Sequence, residues 1–316
     1  MKIRRMSSIA ALGIVSAMSL ALPARGQEPS GTIPTRMVVT VSGSKKAAPP
    51  VLNKEDIVAR QAKDPRPVLD WQPATGEHGG LDFAIVIDEG ADTSIGNQLD
   101  DLRAFIHGLP ANSRVAVAYA ANGTVQYTQE FTTDHESAAK ALRLPMGAHG
   151  TSSTIYYSLA DMIERWPAGA ARREVVAISD GIDLLRGIDS TEPTSNNIDL
   201  QNAIETSQKA GVVVYTLFTS GTGRIHSNLF LINNGQGCLA RLALETGGEF
   251  YYQGYQTPLA FAPYLDDIKG SLSRQYLLTF AAKPLNKPGF AQVRVTTEVH
   301  GADIAAPAEV YVPATK

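Results

Sequence analysis

Two aspartates at the ends of apolar segments are the first residues whose placement could support chemistry. Asp88 follows the run 83–87 (FAIVI), and Asp180 follows the run 175–179 (VVAIS). If both runs are parallel strands, their carboxyl ends lie at one edge of a sheet, where α/β proteins bind ligands. A hydroxyl-rich loop, 150–154 (GTSST), lies between them in the sequence. Carboxylate and hydroxyl oxygens together suit a hard cation such as Mg²⁺, Mn²⁺ or Ca²⁺.

The segments around these aspartates predict buried strands alternating with helices. The runs 83–87 and 175–178 are continuous and rich in β-branched residues, as expected of strands covered on both faces. Between them, apolar residues spaced by three or four predict one face of a helix that Ser94 can cap: Ile95, Leu99, Leu102, Ile106 and Leu109. The dipeptide Asn122-Gly123 separates 114–121 from 124–131 and predicts a hairpin.

The remaining patterns complete an α/β fold over 81–272. Further strands are predicted at 212–218 and 250–252, and further helices at 134–142, 154–166, 198–210, 236–246 and 259–272. We take Asn233-Asn234 as a loop and the glycines that follow it as the start of a helix. The expected fold is a doubly wound, mostly parallel sheet with helices on both faces and one antiparallel edge strand.

The two ends of the chain differ in composition and pattern from the segment 81–272. Residues 27–80 hold seven of the 18 prolines, with a predicted strand at 36–41, a second near 56–60 and extended connections elsewhere. Residues 273–316 contain three short strand patterns, at 275–281, 292–299 and 309–312. Three short strands do not bury a stable face alone. We therefore expect 27–80 and 273–316 to build one small β-sandwich, with the domain 81–272 inserted between them.

Residues 1–26 are typical of a signal peptide. Lys2, Arg4 and Arg5 precede an apolar stretch, 9–22, and small residues at 24 and 26 predict cleavage before Gln27. The alternative is a membrane anchor, but a bilayer span needs about 20 apolar residues. The expectation is export to the periplasm or the exterior, with no membrane span in the mature chain.

Composition excludes several classes of protein. Hydrophobic residues make up 44% and charged residues 19%, which is ordinary for a globular protein. The 28 Lys+Arg against 31 Asp+Glu, with no long basic run, disfavour a nucleic-acid partner. Four of those 28 cations lie in 1–26, so the mature chain has 24 against 31. A single cysteine, Cys238, excludes internal disulfides and a cysteine-based zinc site.

The order of elements, with the segments 81–90 (LDFAIVIDEG) and 175–181 (VVAISDG), resembles the von Willebrand factor type A domain, in the version found in exported proteins of acidobacteria. The resemblance implies a metal-ion-dependent adhesion site. In the family, that site is built from D-x-S-x-S after the first strand, a Thr in a later loop and an Asp after the fourth strand. Its metal keeps an open position for an acidic residue of a protein partner.

The residues of this chain match that pattern unevenly. Asp88 matches the first Asp and Asp180 the last, whereas the two Ser positions fall on Gly90 and Asp92. The Thr position falls on Ser153. The resemblance thus implies a degenerate metal site of Asp88, Asp92, Ser153 and Asp180, which holds Mg²⁺ or Ca²⁺ weakly or not at all.

Other alignments of the motif remain open. Thr151 or Thr154 replaces Ser153 if the register shifts, and 92–96 (DTSIG) resembles D-x-S-x-G four residues beyond the strand end. An aspartate at position 92 would hold a cation more tightly but weaken its attraction for a partner's acid. Alternatively, Asp88 and Asp180 are only turn and capping residues, and the domain binds by shape.

Three functions are compatible with this sequence. The first is an exported, non-catalytic module that binds a protein partner, in agreement with the absence of a G-x-S-x-G nucleophile motif. The second is a metal-assisted hydrolase that uses the crevice between Asp88 and Asp180, for which Glu89 is the only nearby general base. The third is a structural spacer of a surface assembly. We expect a binding module and no enzyme.

Overall fold

The computed structural model describes residues 31–43, 49–146, 154–169, 172–183, 196–222 and 228–314. Within these ranges the strands are β1 (Ile33–Gly43), β2 (Ile57–Gln61), β3 (Asp64–Arg66), β4 (Val68–Pro73), β5 (Leu81–Asp88), β6 (Arg114–Ala121), β7 (Thr124–Thr132), β8 (Arg172–Ser179), β9 (Val212–Phe218), β10 (Phe250–Tyr251), β11 (Gln275–Ala282), β12 (Gly289–Thr297), β13 (Ala302–Ala305) and β14 (Glu309–Val312). The α-helices are α1 (Leu99–His107), α2 (His135–Lys140), α3 (Ile155–Glu164), α4 (Ile198–Ala210), α5 (Leu229–Thr246) and α6 (Ala262–Ser273). In these ranges no helix combines the length and the hydropathy that a membrane crossing requires.

The largest sheet has six strands in the order β10-β9-β8-β5-β6-β7. All neighbours run parallel except β6 and β7, which are antiparallel. Asn122 and Gly123 both have positive φ, 52° and 76°, as a tight hairpin turn requires. The predicted mixed α/β fold is confirmed, and the Asn122-Gly123 hairpin supplies its antiparallel edge.

Each face of this sheet is covered by three helices. Phe83, Ile85 and Ile87 of β5 belong to one hydrophobic cluster, together with residues of α1, α2 and α6. Ala84 and Val86 belong to a second cluster with residues of α3, α4 and α5. Since successive side chains of a strand point to opposite faces, both sets must be apolar, which accounts for the unbroken run 83–87.

Two four-stranded sheets combine the ends of the chain, in the orders β13-β1-β11-β4 and β14-β12-β2-β3. Met37 of β1 pairs with Leu278 of β11, and this pairing joins the strands predicted at 36–41 and 275–281. A third hydrophobic cluster takes Val39 from the first sheet and Val293 from the second. Each sheet therefore contains strands from both chain ends.

The strands β3, β4 and β13 were not predicted. β3 and β4 contain Pro65 and Pro73, which we interpreted as part of an extended connection. Both strands lie at the edge of their sheet and have a neighbouring strand on one side only. The N–H donor that proline lacks is not needed on the open side. The prolines therefore mark edge strands.

Two predicted helix starts are wrong. Ser94 does not cap the first helix: the Asp92 carboxylate accepts a hydrogen bond from Ser94 N (2.8 Å) and begins a 3₁₀ helix, Thr93–Gln98, which leads into α1. The helix predicted at 236–246 begins at Leu229, because Asn228 caps it through Phe230 N (2.9 Å). The segment 233–235 thus lies inside α5.

Candidate functional site

The ends of β5 and β8 bring two of the predicted site residues to one edge of the central sheet. These strands are parallel neighbours, with Ile87 opposite Ile178. Asp88 is the last residue of β5, and Asp180 directly follows β8. We call this side of the molecule the carboxyl edge.

Ser179 connects the two strand ends. Its hydroxyl donates to Asp88 Oδ2 (2.7 Å) and accepts from Gly181 N (3.0 Å). The side chain is fully buried. Sequence reasoning did not assign Ser179 a role. The available signal was a serine directly before Asp180 at the end of a buried strand.

Asp88 and Asp180 also stabilise the turns that follow their strands. Asp88 Oδ1 accepts from Gly90 N (2.9 Å), and Asp180 Oδ1 accepts from Ile182 N (2.9 Å). Both residues are about 5% exposed. Each carboxylate thus has a turn-forming role, which was one of the two interpretations left open by the sequence.

Asp92 lies on the β9 side of the carboxyl edge. Its N–H donates to Ser220 O (2.7 Å), and Gly90 O accepts from Thr222 N (3.0 Å). These bonds join the turn 88–92 to the residues after β9. Asp92 is half-buried, and its carboxylate caps the 3₁₀ helix Thr93–Gln98.

The fourth predicted ligand, Ser153, lies outside the described residues, and so does Thr151. The other alternative, Thr154, is buried and caps α3 by accepting from Tyr157 N (3.3 Å). In the described ranges, no group of three or more His, Cys, Asp or Glu side chains is arranged to hold a metal. The metal-binding role of Asp88, Asp92, Ser153 and Asp180 therefore stays a prediction.

Glu89 is held in an ion pair beside these residues. Its carboxylate, almost fully buried, binds both terminal nitrogens of the Arg143 guanidinium and accepts from Met146 N (2.6 Å). The hydrogen bond from Arg143 to Glu89 raises the pKa of the guanidinium. Sequence reasoning named Glu89 but missed Arg143, which is distant in the chain and follows no recognisable motif.

Tyr119 fixes the position of Arg143. The guanidinium carbon lies 3.8 Å from the centre of the Tyr119 ring, in a cation–π contact. The Tyr119 hydroxyl donates to Arg143 O (2.6 Å) and accepts from Arg143 N (2.7 Å). Burial raises the pKa of the Tyr119 hydroxyl. The segment after α2 is therefore anchored to the strand ends.

A close backbone contact links α5 to the turn after β8. A Cβ placed on Gly235 would lie 2.4 Å from Asp180 O and 3.0 Å from Gly181 C. Displacing the backbone atoms of a buried turn costs free energy, so only glycine fits at position 235. This contact accounts for a glycine in the interior of α5.

We expect Gly235→Ala to destabilise the fold by about 3 kcal/mol, because the added methyl overpacks two backbones. Gly270→Ala is the matched control, since it also lies inside a helix, α6, but meets only the flexible Arg274 side chain. That control should be neutral or slightly stabilising. Urea unfolding of both variants measures the difference, and equal stabilities would contradict the close contact.

Exposed apolar side chains are concentrated at the carboxyl edge. Helices that follow parallel strands begin at this edge, and the turns after β6, α2 and β10 also lie there. Eleven large hydrophobic side chains are exposed among the described residues, and nine of them belong to these helix starts and turns. We call these nine the apolar rim: Leu144, Met146, Tyr157, Ile198, Leu229, Phe230, Tyr252, Tyr255 and Leu259.

The comparisons with known proteins find similarity in structure only. No known protein family matches the sequence. No curated protein matches it either. Similar solved structures include an aerotolerance-related membrane protein from Bacteroides fragilis NCTC 9343 with multiple mutations to serines (14% identity, TM-score 0.44, covering 61% of this chain and 98% of that one).

Two other similar structures are described as von Willebrand factor type A proteins. One is from Catenulispora acidiphila (11% identity, TM-score 0.38, covering 91% of this chain and 75% of that one). The other is the ArnB paralog VWA2 from Sulfolobus acidocaldarius (10% identity, TM-score 0.39, covering 89% and 76%). With TM-scores below 0.5, these likenesses do not determine a function.

Proposed function

We propose that this chain is an exported, non-catalytic module that binds a protein partner with the carboxyl edge of its central sheet. The apolar rim carries the proposal. Large exposed apolar surfaces are uncommon on monomeric proteins and mark sites of association. The strand-end carboxylates of Asp88 and Asp180 fix the described turns that follow β5 and β8, which gives docking a defined base.

We further propose that the edge is a degenerate form of the adhesion site of von Willebrand factor type A domains. Gly90, at the first family serine position, has no side chain to offer a metal. Asp92, at the second, already caps a 3₁₀ helix. A cation at Asp88 and Asp180 would lack both serine ligands of the family.

The surroundings of Glu89 weigh against a metal-assisted hydrolase. A general base must reach the proton that it removes and must be able to accept it. Both carboxylate oxygens of Glu89 are bound by Arg143 and Met146 N, in a nearly fully buried position. Because both of its oxygens are engaged in this buried ion pair, Glu89 is poorly placed to take a proton from a substrate.

A pull-down from envelope extract with matched variants tests the binding function. Leu259→Ser removes the most exposed rim residue (90%), and Leu244→Ser removes a similarly exposed leucine (64%) outside the rim. We expect one protein, identified by mass spectrometry and confirmed with purified components, to bind the unchanged chain and Leu244→Ser but not Leu259→Ser. Binding that survives Leu259→Ser and Phe230→Ser would favour a structural spacer, and hydrolysis in a substrate screen would favour an enzyme.

Divalent cations should have no effect on stability. A cation at about 100 times its dissociation constant would stabilise the fold by about 2.7 kcal/mol. We expect the same Tm with EDTA, Mg²⁺ and Ca²⁺, because two family hydroxyls are missing. Asp180→Asn should also be neutral, since the amide oxygen can accept from Ile182 N. A Tm increase with Mg²⁺ that Asp180→Asn abolishes would show a working metal site.

The proposed function includes export of the chain. It is supported by the basic segment, the apolar stretch and the small residues of 1–26. We expect mass spectrometry of the exported chain to find an N-terminus at Gln27 or within a few residues of it. A chain that begins at Met1 in the membrane fraction would support an anchor instead.

A further inference from the structure

We propose that the partner presents a lysine or arginine flanked by apolar residues, and that this basic side chain docks beside Asp92 without a bridging metal. The inference rests on the proposed function, since it names the chemistry of the partner at the same edge. It reverses the charge of the partner residue that the family's adhesion site would bind.

Two residues of the apolar rim contact the 3₁₀ helix that Asp92 caps. Leu144 packs against the 3₁₀ helix that Asp92 caps: a Cβ on Gly96 would lie 2.6 Å from Leu144 Cδ2. At the end of the same helix, Leu259 O accepts from Gln98 Nε2 (3.1 Å). Leu144 is 48% exposed and Leu259 90% exposed. A partner that covers Asp92 and the helix it caps therefore has exposed apolar side chains within reach.

The rim continues past Glu89 to the end of β6. Met146 is 73% exposed, and its N–H binds Glu89. Glu89 N in turn donates to Ala120 O (3.0 Å), near the turn where Gly123 lies against the exposed Tyr157. A chain of hydrogen bonds and packing contacts through the backbone of this edge thus links the segments that carry Tyr157, Met146, Leu144 and Leu259.

The charge of the edge selects a basic partner. The described turns 88–92, 141–146 and 180–183 contain five carboxylates and one guanidinium, that of Arg143, which is bound to Glu89. By sequence, the connecting segments 147–153, 184–195 and 223–227 contain two arginines and two acids, so they add no net charge. Complementary charge speeds association and excludes partners of like charge.

Asp92 is the carboxylate placed to receive the basic group. Its Oδ1 accepts from Ser94 N, whereas Oδ2 accepts no hydrogen bond from the part of the chain that the structure describes. Asp92 is also more exposed than Asp88 and Asp180, which are buried. A lysine or arginine could therefore donate to Asp92 while its stem lies on the apolar rim.

Selection of displayed peptides tests this chemistry with a random library in place of the natural partner. The library is selected on the mature chain in EDTA, and enriched peptides are synthesised and titrated by fluorescence anisotropy. We expect enrichment of Lys or Arg with apolar neighbours. Asp92→Asn, which preserves the helix cap, should weaken binding about tenfold. Asp303→Asn, an exposed acid on β13, is the matched control and should have no effect.

A double-mutant cycle shows whether the two charges meet. Replacing the peptide's basic residue by Gln should cost about as much as Asp92→Asn, and the two losses should not add. Two outcomes would overturn this inference but leave the docking function intact. In the first, peptides bind the edge through an acidic residue and need Mg²⁺. In the second, Asp92→Asn does not change the affinity. Absence of enrichment, or binding unchanged by Leu259→Ser, would contradict the docking surface and the inference together.

Discussion

Glu174→Gln should stabilise the chain at pH 8 and above, with little effect near pH 4. Glu174 lies in β8 and is fully buried beside Arg172, Gln275 and Tyr215. Burial raises its pKa from 4.5 to about 8, although the charge of Arg172 opposes the increase. The ionised form is therefore costly in the folded state.

The direction of this pH dependence follows from the difference in proton binding between the folded and the unfolded chain. Between pH 4.5 and about 8 the folded chain keeps the Glu174 proton, whereas the unfolded chain releases it. The contribution of Glu174 to the unfolding free energy is at its maximum below pH 4.5. It decreases by about 1.4 kcal/mol per pH unit across that window. Glutamine does not titrate, so the variant avoids the loss.

Urea unfolding of both proteins across this pH range measures the difference in unfolding free energy. Subtraction of the two curves removes the titrations that they share. Glu77→Gln, at an exposed position, is the control and should reproduce the pH profile of the unchanged chain. A constant difference between Glu174→Gln and the unchanged chain would contradict the raised pKa.

Arg143→Ala should destabilise the fold by about 3 kcal/mol, because it leaves the Glu89 carboxylate buried without its cation. Glu89 is 4% exposed, and the Arg143 side chain shields it while packing on Tyr119. Removing the guanidinium therefore loses the ion pair and the cation–π contact together. The remaining bond from Met146 N does not neutralise the charge.

The double variant Glu89→Gln, Arg143→Ala separates these contributions. Because it removes the uncompensated charge, it should recover part of the stability that Arg143→Ala loses. Urea unfolding of the two single variants and the double variant at one pH provides the comparison. If the double variant is less stable than Arg143→Ala, the burial of an unpaired carboxylate is not the cause.

The central sheet could be predicted from the sequence because its signals are local. The runs 83–87 and 175–178 are apolar at every position, as strands covered on both faces must be. Asn122-Gly123 determines a tight turn through its own backbone preferences. The adjacency of Asp88 and Asp180 then followed from the rule that parallel strands end at one edge.

Elements whose signal was ambiguous were missed or misplaced. The prolines of β3 and β4 disfavour a central strand but are tolerated at an edge, and only the assembled sheet shows which case applies. The glycine at 235 is poor for an isolated helix. Its place inside α5 depends on the backbone of Asp180, which lies against it in the folded chain.

The electrostatics of the site depended on tertiary structure. Glu89 and Arg143 are 54 residues apart, and no pattern in the sequence pairs them. The sequence determined which acids stand at the strand ends. The packing of distant segments decided that Asp180 is buried, that Glu89 is paired and that Asp92 stays accessible. Only the tertiary structure could show this, because ion pairs and desolvation depend on distance in space.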